Sequence, residues 1–169
     1  EAALLSKHAK QVVDAVISSG QNYVVIYPNN DLGSEQIISA YQRFKEPATA
    51  KRFRVFPSIR FEYFLTLLKN ARFMIGNSSA GVRETCVYGV PAIDIGTRQS
   101  NRYDAGVMKN IQHTVEERTA IEAAIASVND YRYRASYYGD GKSVERFMEI
   151  LRSNIWDTPL QKQFIDIDF

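Results

Sequence analysis

Phe73-Met74-Ile75-Gly76-Asn77-Ser78-Ser79-Ala80-Gly81-Val82-Arg83-Glu84 is the stretch that decides the fold. An apolar run passes into glycine and small hydroxyl-bearing residues, and a helical pattern follows. A buried strand that leaves its sheet through such a turn and starts a helix is half of a βαβ unit. The same turn directs backbone N–H groups and the hydroxyls of Ser78 and Ser79 outward at the positive end of a helix, an arrangement suited to an anion and above all to phosphate. On its own, Ser-Ser-Ala-Gly also satisfies a plain helix N-cap. The surrounding residues must decide between the two.

Outward from this stretch the same alternation repeats. Upstream, Ala2, Leu4, Leu5, Val12, Val13, Ala15, Val16 and Ile17 recur at helical spacing, and Gly20 stops the helix. Tyr23-Val24-Val25-Ile26-Tyr27 reads as a strand buried on both faces. Residues 28–34 form a turn, and a helix is predicted from Ser34 to about Phe44. Phe53-Arg54-Val55-Phe56 is a second strand, followed by a helix from Arg60 to Asn70 with Phe61, Phe64, Leu65 and Leu68 on one side. Downstream of the third strand, a helix is expected from Ala80 to Tyr88. Gly89-Val90-Pro91 then resets the chain for a fourth strand, Ala92-Ile93-Asp94-Ile95. A shorter fifth strand is read over 106–111. Thr114 and Glu117 have the spacing of a capping box that would open a helix to about Ser127. A last helix is predicted over 143–154, and the tail after Trp156 has no period. Short strands alternating with longer helices predict an α/β fold: one domain over 1–169, a Rossmann-like parallel sheet with helices on both faces.

Composition agrees with a packed domain and narrows the function classes. The 169 residues are 45% apolar, with nine Phe, ten Tyr and one Trp, enough for a core. Net charge is +2, from 21 basic and 19 acidic residues without a basic stripe, so no nucleic-acid partner is expected. One cysteine, Cys86, rules out an internal disulfide or a multi-cysteine metal site and suggests a reducing, cytoplasmic compartment. No apolar run is long enough to cross a membrane and no signal peptide is visible. The chain begins at Glu1 already inside a helical pattern, which suggests that an upstream part of a longer protein is absent.

In parallel α/β sheets ligands bind beyond the carboxyl ends of the strands. The turns over 29–34, 57–60, 76–81 and 96–102 all follow strands and should share one rim. There Ser78, Ser79 and the amides of Ala80 and Gly81 can donate to phosphate oxygens, while Gly76 and Gly81 admit close approach. Glu84 can accept from a ribose diol, Arg98 and Arg102 can pair with a diphosphate, and Asn29, Asn30 and Asp31 can hydrogen-bond a sugar. Each also has an ordinary reading as a cap, a turn or a solvated surface group. His8 and His113 have no metal-like spacing and read as structural. A Walker lysine motif, a GxGxxG after a strand and a Gly-x-Ser-x-Gly elbow are all lacking.

Gly76-Asn77-Ser78-Ser79-Ala80-Gly81-Val82-Arg83-Glu84 and Tyr88-Gly89-Val90-Pro91-Ala92-Ile93-Asp94-Ile95-Gly96-Thr97-Arg98-Gln99 together resemble the UDP-N-acetylglucosamine 2-epimerases, in particular the hydrolysing type that starts sialic acid synthesis. Pro28-Asn29-Asn30-Asp31-x-Gly33-Ser34, Tyr138-Gly139-Asp140-Gly141 and Leu160-Gln161-Lys162-x-Phe164 match as well. The resemblance implies two Rossmann-like domains facing a cleft, the GT-B arrangement, with this chain as the C-terminal, UDP-holding domain. It places diphosphate on Ser78, Ser79, Ala80 and Gly81, ribose on Glu84, uracil beside Ile59, the phosphate and sugar side on Arg98, and the sugar end on Asn30 with Asn29.

The implied reaction removes UDP from UDP-N-acetylglucosamine by anti elimination to a 2-acetamidoglucal, to which water adds to give N-acetylmannosamine. The proton-moving carboxylates would belong to the other domain, so no catalytic residue is assigned in this chain. No cofactor or metal is expected. The last helix and tail, 143–169, would pack back on the absent domain, and the full-length protein would be a homo-oligomer. The nonhydrolysing epimerases, a GT-B glycosyltransferase and a nucleotide-sensing domain are the alternatives, and the Ala92 to Gln99 run favours the hydrolysing branch.

Overall fold

The computed structural model describes residues 2–159 and 161. The chain divides into two units, residues 1–137 and 138–169. The first unit carries the strands, in two separate parallel ladders rather than the one sheet expected. Its elements are α1 (Ala2–Ser18), β1 (Tyr23–Ile26), α2 (Ser34–Tyr41), β2 (Phe53–Phe56), α3 (Phe61–Asn70), β3 (Met74–Gly76), α4 (Ala80–Arg83), α5 (Thr85–Tyr88), β4 (Ala92–Ile95), β5 (Ile111–Thr114) and α6 (Arg118–Ala126). All strand pairing among the described residues is parallel: β1 with β2, and β3–β4–β5 with β4 in the middle. The expected α/β architecture is therefore present.

β4 shows why. Every residue of Ala92-Ile93-Asp94-Ile95 is buried, as expected of a central parallel strand with cover on both faces. Ile93 and Ile95 pack with Ala15 of α1 and Ile121, Ala124 and Ile125 of α6. On the opposite face Ala92 packs with Val82, Cys86 and Met108. The two ladders share apolar contacts: Ile75 of β3 touches both the Ile93 cluster and the cluster of Val13, Val16, Phe44 and Phe53. The latter is ordered by ring contacts, with Phe44 stacked on Phe53 at 4.4 Å and Tyr23 stacked on Phe53 at 5.5 Å between centroids.

Several expectations are corrected. The predicted fifth strand over 106–111 is instead a coiled turn, because the Gly106 amide donates to the Asp104 carboxylate and the Met108 amide to the Asp104 carbonyl. Pairing begins only at Ile111. Thr114 is the last residue of β5, opposite Ile95, so it cannot cap a helix. α6 starts at Arg118, whose amide donates to Gln11 Oε1 of α1. The helix expected over 80–88 is broken at Glu84 into two four-residue turns, α4 and α5. β1 is not buried on both faces, since Val24 stands 47% exposed.

In the second unit the only α-helix among the described residues, α7 (Ser143–Arg152), stops short of the predicted 154. Asp140 fixes its start: the carboxylate accepts from the Lys142 amide and takes both Arg146 guanidinium nitrogens, at 2.8 and 2.9 Å. Val144, Phe147 and Met148 repeat at helical spacing and are exposed. Leu160 and residues 162–169, which carry most of the matched Leu160 to Phe164 motif, lie outside the described residues.

Candidate functional site

Parallel strands deliver their outgoing turns to the same end of the sheet. Side chains then tie those turns together. Arg98, after β4, donates from Nη2 to Asp31 Oδ2 after β1 at 3.1 Å. Gln99 donates from Nε2 to the Asn77 carbonyl after β3 at 2.8 Å. The Glu116 carboxylate, after β5, fills the place where a side chain on Gly96 would begin, and His8 Nδ1 of α1 lies 3.7 Å from Glu116 Oε1. These contacts bring the turns after β1, β3, β4 and β5 together, with Asn29, Asn30, Ser78, Ser79 and Arg98 exposed; none of these contacts reaches the 57–60 turn. Ile59 sits half-buried in the segment between β2 and α3.

The serine turn itself starts at Gly76, whose φ of +143° is open to glycine and strained for other residues. The space in front of Gly76 is empty out to 4 Å, whereas a methyl group on Gly81 would only touch Ala92 at 3.9 Å. Close approach is therefore a property of Gly76. The Ala80 amide is engaged by Ser78 Oγ at 3.3 Å and the Gly81 amide by the Ser78 carbonyl at 3.0 Å. The Ser78 hydroxyl oxygen thus takes up the first amide of α4, while the N-cap residue Ser79 makes no side-chain capping bond. The outward donors are the amides of Ser78 and Ser79, which have no partner among the described residues, and the two hydroxyl hydrogens. Because α4 is four residues long, its dipole is small, and any anion chemistry here would rest on these local donors.

Glu84 sits at the break between α4 and α5. Its Oε2 is enclosed and has no hydrogen-bond partner among the described residues. That oxygen is closed to a ligand, but Glu84 as a whole is only half-buried, so a ligand hydroxyl would have to meet the rest of the carboxylate. Arg98 is oriented by Asp31 rather than left as a free solvated side chain. Asp31, read as a sugar contact, is engaged in that ion pair.

Three groups escaped the sequence reading. Gln99 is 1% exposed; its position directly after Arg98 was the available signal. Asp94, a lone acid inside an apolar strand, lies 3.6 Å from His113 Nδ1 and accepts from the Tyr103 hydroxyl at 3.5 Å. Burial pushes its carboxyl above the usual range, and His113 and Tyr103 offset this only in part. It lines a cavity of about 260 Å³ together with Ser100, Asn101, Tyr103 and His113. The third is the Glu116–His8 pair. A larger cavity, about 440 Å³, lies at the opposite end of the strands, where Ser18 donates to Glu122 and Arg72 to Gln21. Its polar groups satisfy one another, and none of the anticipated residues line it.

The profile of the UDP-N-acetylglucosamine 2-epimerase family matches residues 3–152. The chain belongs to this family. It is 45% identical, over 99% of its length, to a UDP-N-acetylglucosamine 2-epimerase of Neisseria meningitidis serogroup B, covering 44% of that protein. It is 23% identical over 93% of its length to a UDP-N,N'-diacetylbacillosamine 2-epimerase (hydrolyzing) of Legionella pneumophila, covering 40% of it. Among solved structures, the UDP-GlcNAc 2-epimerase of Methanocaldococcus jannaschii in complex with UDP-GlcNAc and UDP superposes with a TM-score of 0.65 at 19% identity, over 86% of this chain and 40% of that one. A putative UDP-N-acetylglucosamine 2-epimerase of Listeria monocytogenes gives 0.66 at 14% identity, over 96% and 43%. These epimerases share the fold. The chain spans less than half the length of each relative it matches here.

Proposed function

We propose that this chain is the UDP-binding half of a hydrolysing UDP-N-acetylglucosamine 2-epimerase, the C-terminal domain of a GT-B enzyme. The observation that carries the reading is a pair of features five to six residues apart in the chain: amide donors without a partner among the described residues at Ser78 and Ser79, and the half-buried carboxylate of Glu84. The first set suits a diphosphate, the second a ribose diol, and a nucleoside diphosphate presents both. Arg98 covers the phosphate and sugar side, Asn29 and Asn30 the sugar end, and Ile59 the base. Ala80 and Gly81 shape the turn.

In this assignment the chain supplies leaving-group stabilisation. As the bond between the sugar and UDP breaks, negative charge builds on the diphosphate, and donors already oriented by the fold meet it without reorganising. The carboxylates that move the proton at sugar C2 reside in the half of the protein outside this chain. The exposed apolar face of α7 is assigned to docking against that half, consistent with the chain covering 44% of its Neisseria relative.

The hydrolysing branch is favoured by the Ala92 to Gln99 run and by the Legionella relative, which is named as hydrolyzing. Product analysis with the full-length protein tests it. Free N-acetylmannosamine with UDP is the expected outcome. UDP-N-acetylmannosamine would assign the protein to the nonhydrolysing branch, and transfer to an acceptor would make it a glycosyltransferase.

A further inference from the structure

Among the described residues, the 77–79 turn and the 96–102 turn are joined by no backbone hydrogen bond. One side chain joins them. Gln99, 1% exposed, reaches across from the residue next to Arg98 and donates from Nε2 to the carbonyl of Asn77 at 2.8 Å. The consequence lies on the far side of the same peptide unit. The Asn77 carbonyl and the Ser78 N–H belong to one planar trans amide and point in opposite directions. Pinning the carbonyl toward the interior holds the Ser78 N–H outward, where it has no partner among the described residues. Rotation of this peptide runs through ψ of Asn77 and φ of Ser78, in a turn that lies outside any helix or strand. Without the Gln99 amide, nothing else among the described hydrogen bonds fixes the Asn77 carbonyl.

We propose that Gln99 is a positioning residue: it locks the Asn77–Ser78 peptide so that the Ser78 amide faces the diphosphate, and it sets the serine turn against Arg98. A neutral primary amide suits the task, since it donates to a carbonyl without placing a second charge beside the anion. The proposal rests on the UDP reading above and adds to it a residue that touches no ligand.

The test compares UDP with uridine, which lacks the phosphates, on the full-length protein. Gln99→Met keeps the length of the side chain and removes the donor; Gln99→Glu is the second variant. The expected result is a loss of UDP affinity of about ten- to hundredfold by calorimetry, with uridine affinity by ligand-observed NMR unchanged. Equal losses for both ligands, or none for either, would overturn the proposal, since Gln99 would then support the fold without orienting a phosphate donor. So would failure of both variants to fold. A wild-type protein that does not prefer UDP to uridine refutes the UDP reading and the proposal with it. A wild-type preference retained in Gln99→Met refutes the proposal alone.

Discussion

Asp94 puts a carboxylate on the most enclosed strand of the sheet, and its burial has a defined consequence for pH. Its folded-state pKa is raised, chiefly by burial. The folded protein therefore keeps a proton that the unfolded chain releases near the usual value of about 4, and this group's contribution to stability is lost as pH rises through the folded pKa. Asp94→Asn lacks that term. Denaturant titrations of both proteins across pH should show the difference shifting in favour of the variant from about pH 4 upward, then levelling off. A difference independent of pH would contradict the assignment.

At this scale Ser78, Ser79, Glu84 and Arg98 stand out as candidates from the sequence because their chemistry is carried by residue type and by place after a strand. Gln99, Asp94 and Glu116 do not. What distinguishes them is what the fold brings against them: a carbonyl 22 positions upstream, an imidazole on the next strand, a glycine across the rim.

The elements were read well wherever an apolar run met a glycine or proline. α1, β1 to β4 and α3 fall within a residue or two of their predicted spans. Two of the errors lie between β4 and α6, one from a local turn built on Asp104 and one from the pairing of β5. Thr114 and Glu117 carry capping-box spacing, yet Thr114 is committed to the ladder with Ile95. Asn110, fully buried just before β5, explains where that strand begins. Its Nδ2 donates to Thr85 Oγ1 at 2.9 Å and to the Val90 carbonyl at 3.1 Å, while its own carbonyl accepts from the Ala92 amide at 2.8 Å. Asn110 thereby clamps the entry to β5 against α5 and the start of β4. Asn110→Ala leaves two buried acceptors without their donor and should lower stability by about 1–3 kcal/mol, read from a urea midpoint. A change within error would show that the clamp is redundant.

For the whole molecule, length is what matters. In the proposed assignment, a chain spanning 44% of its Neisseria relative presents one wall of a site, which accords with Asn29, Asn30, Ser78, Ser79 and Arg98 lying on an open surface. The exposed apolar face of α7, with Val144 72% and Phe147 59% exposed, is the counterpart in the second unit, and in the account proposed above it meets a surface outside this chain. In the proposed assignment, the serine turn holds the group that leaves, and the groups that move protons reside outside this chain.

Calorimetric titration of UDP into this chain, wild type beside Ser79→Ala, tests that claim most directly. The account predicts saturable binding by the wild type and a loss of about 1–3 kcal/mol in the variant, from hydrogen bonding to a charged group. A chain that is folded by circular dichroism yet takes up no UDP, or a Ser79→Ala variant with an unchanged dissociation constant, would contradict it.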